Sequence, residues 1–167
     1  KYAFTQTSSF LPPDGLNQAL QIAAFGGCDV RYMLPKRSYT RTANMATHSF
    51  IDEMVKAGVN VYFYKAGFLH SKLMVADDEL TCIGSANMDF RSFEHNFEVN
   101  AFIYDTETAL QMREIFLQDQ RECVQVFLKN WVKRPWWRKA AERVVRLMAP
   151  LLYTLTFQLL NEGEAHT

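Results

Sequence analysis

The chain is 167 residues long, which suits a single domain with one hydrophobic core. Its 18 lysines and arginines balance 18 aspartates and glutamates, so the overall charge gives no reason to expect a nucleic acid as partner. Three widely spaced cysteines argue against a disulfide scaffold and against a zinc site, and we expect reduced thiols in a cytosolic domain.

The start of the chain carries no targeting signal. Residues 1–6 do not form the apolar run and cleavage site of a signal peptide, and no stretch reaches the roughly 18 to 20 apolar residues that span a bilayer. There is no initiating Met, and the first residues read as a strand. We therefore expect a fragment of a longer protein, with any membrane span removed.

The first part of the chain alternates helices and strands. The predicted elements are a helix of about three turns between Pro12-Pro13-Asp14 and Gly26-Gly27, a strand at Val30–Leu34 closed by Pro35, a helix from Thr40 to Lys56 that stops at Gly58, and a strand through Val59, Val61 and Phe63. This alternation predicts an α/β fold with a mixed, mainly parallel sheet flanked by helices.

After Gly67 the pattern changes to shorter strands. Residues 72–76 and 80–83 are mostly apolar and enclose Asp77-Asp78-Glu79, which predicts a hairpin. Residues 97–104 read as another strand, and Thr106 to about Val126 as an amphipathic helix. In that helix we expect Leu110, Ile115 and Phe116 to face inward.

Two short motifs carry reactive side chains. His70 and Lys72 are two residues apart, hence on one face of an extended strand, so that an imidazole and an ammonium enter one space. Gly84-Ser85-Ala86-Asn87 adds a hydroxyl and an amide where the next strand ends. Gly84 is expected to let the backbone approach a ligand closely.

These groups suit transfer of a phosphate diester. Such a reaction needs a nucleophile, donors for the non-bridging oxygens, and a group that fixes the tautomer of the nucleophile. His70 can attack phosphorus, while Lys72 and Asn87 donate to the oxygens with help from Ser85. Glu98, on the following strand, can accept the other ring N–H of His70. The chemistry needs no metal and no cofactor.

Each motif alone is common by chance, but the joint pattern is specific. The segment HSKLMVADDELTCIGSANMDFRSFEHNFE resembles the signature of the phospholipase D superfamily, H-x-K-x4-D-x6-G-S-x-N, with every signature residue at its spacing. Within the superfamily it is most similar to the C-terminal half of bacterial cardiolipin synthases, on residues 67–69, 88–93 and 96–98. The similarity extends upstream to residues 30–35 and downstream to residues 150–152.

The resemblance implies roles for individual residues. His70 would be one of a pair of histidines, of which one forms a phosphohistidine and the other protonates the leaving alcohol and later deprotonates the acceptor; either role is open to His70. Asp77 matches the signature acid and joins the implied catalytic set, although its place in the hairpin favours a structural role. Lys65-Ala66 stands where many relatives have a proline, which concerns the shape of the entrance loop.

The family uses two such motifs, and this sequence holds one. His48, His95 and His166 are not followed by a lysine two residues later. The second half would come from the N-terminal half of a parent chain, which the resemblance favours, or from a second copy about a two-fold axis. We expect His48 to be packed or solvated in its helix, and His95 to be a solvated loop residue rather than a substrate contact.

The last forty residues differ in composition, so we divide the chain into a catalytic half-domain at 1–128 and a basic, aromatic helical tail at 129–167. Between Lys129 and Arg146 there are seven basic residues, one acid and all three tryptophans. This composition is typical of a helix on an anionic membrane surface, and equally of a helix packed on the domain. The apolar run 147–160 is too short to span a bilayer and could insert shallowly or cover the partner half.

The leading hypothesis is a phosphatidyltransferase that moves a phosphatidyl group between two phosphatidylglycerol molecules and releases glycerol, at the cytoplasmic side of a bacterial membrane. Nucleic acid is not a partner in this interpretation. Two alternatives stay open: a homodimeric single-motif nuclease or phosphodiesterase of the same superfamily, and a catalytically silent membrane-binding fragment. The sequence does not identify the acceptor.

Overall fold

A computed structural model describes residues 1–37 and 40–148. The strands are β1 Tyr2–Gln6, β2 Phe10–Leu11, β3 Asp29–Pro35, β4 Asn60–Tyr64, β5 Leu73–Ala76, β6 Leu80–Gly84, β7 Met88–Asp89, β8 Asn100–Tyr104 and β9 Cys123–Gln125. The helices are α1 Asp14–Phe25, α2 Arg41–Lys56, α3 Phe90–Glu94, α4 Thr106–Arg121 and α5 Leu128–Trp131. Residues 136–148 are also helical.

The described residues form a seven-stranded sheet in the order β8-β6-β5-β1-β3-β4-β9, and a two-stranded one from β2 and β7. A mixed sheet flanked by helices confirms the predicted fold class. The expectation of a mainly parallel sheet is wrong, because in this part of the chain only β1–β3 and β3–β4 of the six pairings in the large sheet are parallel. Helical crossovers produce those two pairs, whereas the short connection after β5 makes an antiparallel hairpin.

The predicted helix boundaries in the first part are confirmed. The side chain of Thr40 caps α2 by accepting a hydrogen bond from the backbone N–H of Ala43 at 3.1 Å. Gly27 and Gly58 follow the ends of α1 and α2 with φ values of +84° and +93°. Glycine reaches this left-handed region without steric penalty, so both helices stop where the sequence predicts.

Helix α4 is shorter than predicted. It ends at Arg121, and Cys123–Gln125 form the edge strand β9. Phe116 is buried as expected, but Leu110 and Ile115 are 39% and 42% exposed. Each lies one residue from the buried stripe of Ala109 and Phe116, and one residue turns an α-helix by about 100°. Residues 97–99, predicted as strand, lead up to β8.

The core has two layers, one on each face of the sheet. Helices α1 and α2 cover one face, where the buried cluster includes Tyr32 and Ile51. Helix α4 crosses the other face, against β6, β5, β1 and β4, and encloses a cluster that includes Met33 and Phe116. Neighbouring residues on β3, Tyr32 and Met33, thus serve opposite faces, as the two-residue period of a strand requires.

The predicted hairpin is confirmed. Asp77 and Asp78 have φ values of 53° and 59°, a conformation that aspartate tolerates better than most residues. A carboxylate oxygen of Asp77 accepts a hydrogen bond from the backbone N–H of Tyr2 at 2.6 Å, while Asp78 accepts one from the Tyr2 hydroxyl at 2.9 Å and pairs with Arg113 at 2.5 Å. The turn is therefore tied to the start of β1.

Some residues of the predicted tail contact helix α2. Glu142 is buried and pairs with Arg134 at 2.7 Å, and His48 Nδ1 lies 3.7 Å from the same carboxylate. His48 also packs against the rings of Phe63 and Trp131, so the packed alternative for this histidine is confirmed. The predicted apolar run continues to residue 160, and positions 149–160 and His166 lie outside the described residues. Within residues 1–37 and 40–148, we find no helix with the length and apolar character needed to cross a bilayer.

Candidate active site

The His70–Lys72 segment precedes β5 rather than lying in it, because the strand begins at Leu73. The ammonium of Lys72 donates to the hydroxyl of Ser8 at 3.2 Å and to the backbone carbonyl of His70 at 2.8 Å. The backbone carbonyl of Lys72 in turn accepts from Gly84 N–H at 3.3 Å. The two signature segments are thus held together by the backbone as well as by side chains.

The imidazole of His70 is exposed at the surface. Its ring stacks on Phe68, with centroids 6.0 Å apart and an interplanar angle of 28°. It lines a cavity of about 500 Å³ together with Lys72, while Lys72 and Glu98 line a second cavity of about 470 Å³. Lys72 therefore stands at the boundary of two cavities, one of which contains the candidate nucleophile.

Ser85 and Glu98 form a hydrogen-bonded pair. The Ser85 hydroxyl donates to Glu98 Oε2, and Ser85 accepts from the backbone N–H of Val99 at 3.0 Å. Asn96 Nδ2 donates to the other carboxylate oxygen at 3.1 Å. The Ser85 bond in particular, supported by Asn96 and the charge of Lys72, holds the pKa of Glu98 below its ordinary value despite some desolvation. Glu98 is therefore a carboxylate at neutral pH.

Asn87 presents only its donor end for further contacts. Its side-chain oxygen accepts a hydrogen bond from the Ser8 hydroxyl at 2.6 Å, and its backbone N–H donates to Ser92 at 3.0 Å. The amide NH₂ has no acceptor in the part of the chain that the structure describes, so it can donate to an anion. Because Ser8 also contacts Lys72, the amide and the ammonium meet on one hydroxyl.

The partial burial of Lys72 changes the pKa of its ammonium group. Desolvation lowers the pKa of the Lys72 ammonium, and the negative charges of Glu98 and Asp89 oppose that effect without cancelling it. The cation is therefore less hydrated than a surface lysine. Such a group interacts strongly with a phosphate oxygen that replaces its lost water.

Asp77 has the position that its place in the hairpin predicts, and Gly84 has a packing role that the sequence did not indicate. Asp77 lies at the far end of β5, and five residues of extended chain at about 3.3 Å each separate it from Lys72, roughly 16 Å. Gly84 lines the same cavity as His70 and Lys72, and a Cβ there would also collide with Asn100 Oδ1 and the Val99 carbonyl oxygen. The absent side chain makes room for the β6–β8 pairing.

Sequence reasoning missed the residues that support these groups: Gln6, Thr7, Ser8 and Ser71. All but Ser71 are buried. The available signal was a run of polar residues, Gln6 to Ser9, directly after a strand, because polar residues at a buried strand end need hydrogen-bond partners. In the residues that the structure describes, no group of three His, Cys, Asp or Glu side chains is arranged to hold a metal ion.

Comparison with known proteins gives a consistent result. Residues 1–120 match the family model described as "Cardiolipin synthase, PLD-like domain". Cardiolipin synthase 2 of Bacillus anthracis is 41% identical over 152 residues, which cover 91% of this chain and 30% of the relative. A cardiolipin synthase of a Geobacillus species is 44% identical over 143 residues, 86% of this chain and 28% of the relative. The chain thus spans less than a third of the length of these relatives.

Solved structures share the fold. A phospholipase D family member, Nuc from Salmonella typhimurium, superposes with a TM-score of 0.67 at 21% identity, covering 76% of this chain and 82% of Nuc. The phosphatidylserine synthase of Haemophilus influenzae superposes with a TM-score of 0.68 at 13% identity, covering 92% of this chain and 40% of the synthase.

Proposed function

The chain belongs to the cardiolipin synthase, PLD-like domain family, and from this premise we propose that it is one half of a phosphatidyltransferase site. The observation that carries the proposal is the meeting of the Lys72 ammonium and the Asn87 amide on one buried hydroxyl, next to the carboxylate of Glu98. Two donors in one small space suit the non-bridging oxygens of a phosphodiester.

The proposed reaction has two displacements at phosphorus. In the first, a neutral imidazole nitrogen forms a bond to the phosphorus of phosphatidylglycerol, and the bond to the glycerol oxygen breaks. The general acid transfers a proton to that oxygen, and glycerol leaves. In the second, the hydroxyl of another phosphatidylglycerol loses its proton to the same group and attacks the phosphohistidine, which gives cardiolipin and frees the imidazole. His70 takes one of the two histidine roles.

The charge changes of this reaction match the side chains present. Negative charge builds on the non-bridging oxygens in each transition state, where Lys72 and Asn87 donate, with Ser85 assisting. The ionised Glu98 is proposed to accept the second ring N–H of His70 and thereby select the reactive tautomer. Asp77 is proposed to act on the structure of the hairpin.

A second phospholipase-D-like half is the proposed partner, because one motif supplies one histidine. Strand β8 is an edge of the sheet and exposes Phe102 and Tyr104, while Phe97 and Val99 just before it are also exposed. A group of exposed apolar side chains beside the site is typical of a surface that binds another protein. The share of the relatives that this chain leaves unmatched, about 70%, is ample for such a half.

An anionic bilayer is the proposed surface on which the enzyme works. Trp136 and Trp137 are 80% and 62% exposed, Leu147 is 82% exposed, and the basic residues of the tail surround them. Aromatic and basic side chains together favour the interface of an anionic membrane. We place the catalytic domain at the cytoplasmic side of a bacterial membrane, with the tail of residues 129–167 as its lipid contact.

The transferase proposal is tested on the full-length parent protein in vesicles that contain phosphatidylglycerol, with cardiolipin as the measured product. His70→Ala is expected to reduce the rate by several orders of magnitude, since it removes a whole covalent or proton-transfer path. His95→Ala is the matched control and should retain activity. If the His70→Ala protein makes cardiolipin at the wild-type rate, the proposal is wrong.

A homodimeric phosphodiesterase is the second candidate. The observation in its favour is size, because the chain covers 82% of Nuc, a phospholipase D family member of comparable length. The mass of this chain in solution separates the candidates. A tight dimer that cleaves DNA supports the second, whereas a monomer without activity on DNA supports the first.

The silent membrane-binding fragment is tested by co-sedimentation of this chain with anionic vesicles. The double variant Trp136→Ala and Trp137→Ala should bind less, while Phe25→Ala, which removes an exposed aromatic side chain from α1, should bind like the parent. Equal binding by all three proteins would contradict a membrane role for the tail.

A further inference from the structure

The end of β1 is unusually polar for its degree of burial. Gln6, Thr7 and Ser8 are 2%, 0% and 3% exposed, and all three lie at a strand end between the two core layers. A buried hydroxyl or amide costs free energy unless it is hydrogen-bonded. The hydrogen-bond partners of these three side chains therefore indicate the role of the segment.

Gln6 binds the segment that contains His70 and Lys72. Its side-chain oxygen accepts a hydrogen bond from Ser71, the residue between them, at 2.7 Å. Its NH₂ group donates to Asp119 on α4 at 2.8 Å. Asp119 thus fixes the orientation of the Gln6 amide, and Gln6 in turn holds residues 70–72 against the central strand.

Thr7 binds the other signature segment. Its hydroxyl accepts from the backbone N–H of Met88, the residue after Asn87, at 3.1 Å. The same hydroxyl donates to the backbone carbonyl of Ser9 at 2.8 Å. Both capacities of the hydroxyl are used, so Thr7 fixes the backbone on which Asn87 stands.

Ser8 joins the two segments. Its single proton goes to the oxygen of Asn87 at 2.6 Å, and its lone pair accepts from Lys72 at 3.2 Å. The Asn87 amide is thereby fixed, and no side chain or backbone group of the described residues accepts from its NH₂ group. Lys72 has three protons, and within residues 1–37 and 40–148 Ser8 and the His70 carbonyl accept two of them, so one can bind a phosphate oxygen.

We propose that Gln6, Thr7 and Ser8 are the positioning residues of the phosphate site, which hold Lys72 and Asn87 in the orientation that presents one ammonium proton and one amide group to the same phosphate. In this proposal the three act through the groups that they hold, and not by contact with the reacting atoms. Their contribution is preorganisation, since donors that are fixed before the reaction lose little energy in reorienting during it. This inference rests on the proposed phosphodiester transfer.

Ser8→Ala in the full-length parent is the first test. We expect kcat to fall about 10- to 100-fold, as for other side chains that orient a ligating group, with KM for phosphatidylglycerol changed less than threefold because the lipid contacts are untouched. Ser9→Ala is the matched control, one residue away and without a side-chain contact to either segment, and should keep the wild-type kcat. Equal kcat values for the two variants would overturn the inference.

Thr7→Val and Thr7→Ser separate positioning from packing. Valine keeps the shape and removes the hydroxyl, whereas serine keeps the hydroxyl and loses a methyl group. We expect kcat to fall about tenfold or more in Thr7→Val and to recover in Thr7→Ser, although Thr7→Ser leaves the larger void. A larger loss of kcat in Thr7→Ser than in Thr7→Val would follow the lost side-chain volume and would contradict a positioning role.

A double-mutant cycle of Ser8→Ala with Asn87→Ala measures the coupling directly. If Ser8 acts through Asn87, the loss of kcat in the pair is well below the product of the two single losses. If the loss of kcat in the double variant equals the product of the two single losses, Ser8 does not act through Asn87. A wild-type parent that makes no cardiolipin would instead refute the proposed function, so the two failures are distinguishable.

Discussion

The hydroxyl of Ser85 donates a hydrogen bond to the carboxylate of Glu98, so a residue at the end of β6 and a residue before β8 act as one unit. The pairing joins a serine of the signature to a glutamate 13 positions further along the chain. It also lowers the pKa of the Glu98 carboxylate.

Ser85→Ala should raise the pKa of Glu98, because the hydrogen bond that stabilises the carboxylate is lost. If ionised Glu98 is needed for activity, the acid limb of kcat/KM moves to higher pH. Asn96→Ala, which removes the weaker donor to the same carboxylate, should shift the limb in the same direction by less. An unchanged acid limb in Ser85→Ala would show that Glu98 does not limit the reaction.

Asp89→Asn should lower the pKa of Lys72 further, since the Asp89 charge is one of two that oppose the effect of burial. Asparagine can still accept the α3 capping bond from Ser92 N–H, which Asp89 now accepts at 2.9 Å. The alkaline limb of kcat/KM is therefore expected at lower pH in this variant. Glu94→Gln, a charge change on the same helix, is the control and should leave the limb in place.

Gly84→Ala should destabilise the protein by about 1–3 kcal/mol, the range for overpacking a filled site. The added Cβ would collide with the Val99 carbonyl oxygen and with Asn100, and backbone atoms cannot move aside as a flexible side chain can. Gly67→Ala meets nothing within 4 Å and should be neutral. Urea unfolding of both variants measures the difference; equal stabilities would mean that β8 can shift at little cost.

Asp77→Ala should reduce stability without reducing the activity of the folded enzyme. The change removes the acceptor for Tyr2 N–H, a loss of about 1–3 kcal/mol for a hydrogen bond to a charged group. Asp77→Asn keeps an acceptor and tolerates the left-handed backbone, so it should be much milder. A large loss of kcat in the Asn variant, with its melting temperature preserved, would assign Asp77 to the chemistry after all.

Glu142→Gln tests how the tail is attached. Burial alone would raise the pKa of Glu142, but the neighbouring His48 and Arg134 outweigh it and hold the pKa below its ordinary value of 4.5. A carboxyl group whose pKa is lower in the folded state than in the unfolded state stabilises the protein at pH values above its unfolded-state pKa. That stability is lost as the pH falls through the folded-state pKa. The melting temperature of the parent should therefore decrease as the pH falls below about 4.5.

In Glu142→Gln that pH-dependent loss should be smaller, and stability at neutral pH should be about 3 kcal/mol lower because Arg134 loses its buried partner. Glu114→Gln, on the exposed side of α4, is the control. Parallel pH curves for the parent and Glu142→Gln would contradict the assignment.

The sequence predicted most elements because their signals are local. Thr40 and Gly58 mark the ends of α2, and Asp77-Asp78 mark the hairpin, through backbone preferences that neighbouring residues hardly alter. The ratio of parallel to antiparallel pairs was mispredicted because strand order depends on which strands meet across the sheet. The alternation of strands and helices near the start of the chain correctly predicts parallel pairing, but only for the β1–β3–β4 part of the sheet.

The site divides in the same way. His70, Lys72, Ser85, Asn87 and Glu98 were predicted from spacing, and the structure brings Lys72, Ser85, Asn87 and Glu98 into one connected set through hydrogen bonds and a shared cavity. Ser8 was not predicted, because its contacts to Lys72 and Asn87 span 64 and 79 residues and no local pattern marks them. The packing role of Gly84 was not predicted, because a glycine in a sequence pattern does not say which atoms of the fold approach it.

The central place of β1 has a consequence for the order of folding. β1 hydrogen-bonds to β3 on one side and to β5 on the other, and the contact between Tyr2 and Asp77 closes a loop of 75 residues. Long loops close late because their entropic cost must be met before the contact is made. The helices and the β5–β6 hairpin can thus form early, whereas the pocket exists only after the sheet joins; refolding kinetics should show binding competence recovering with the slowest phase.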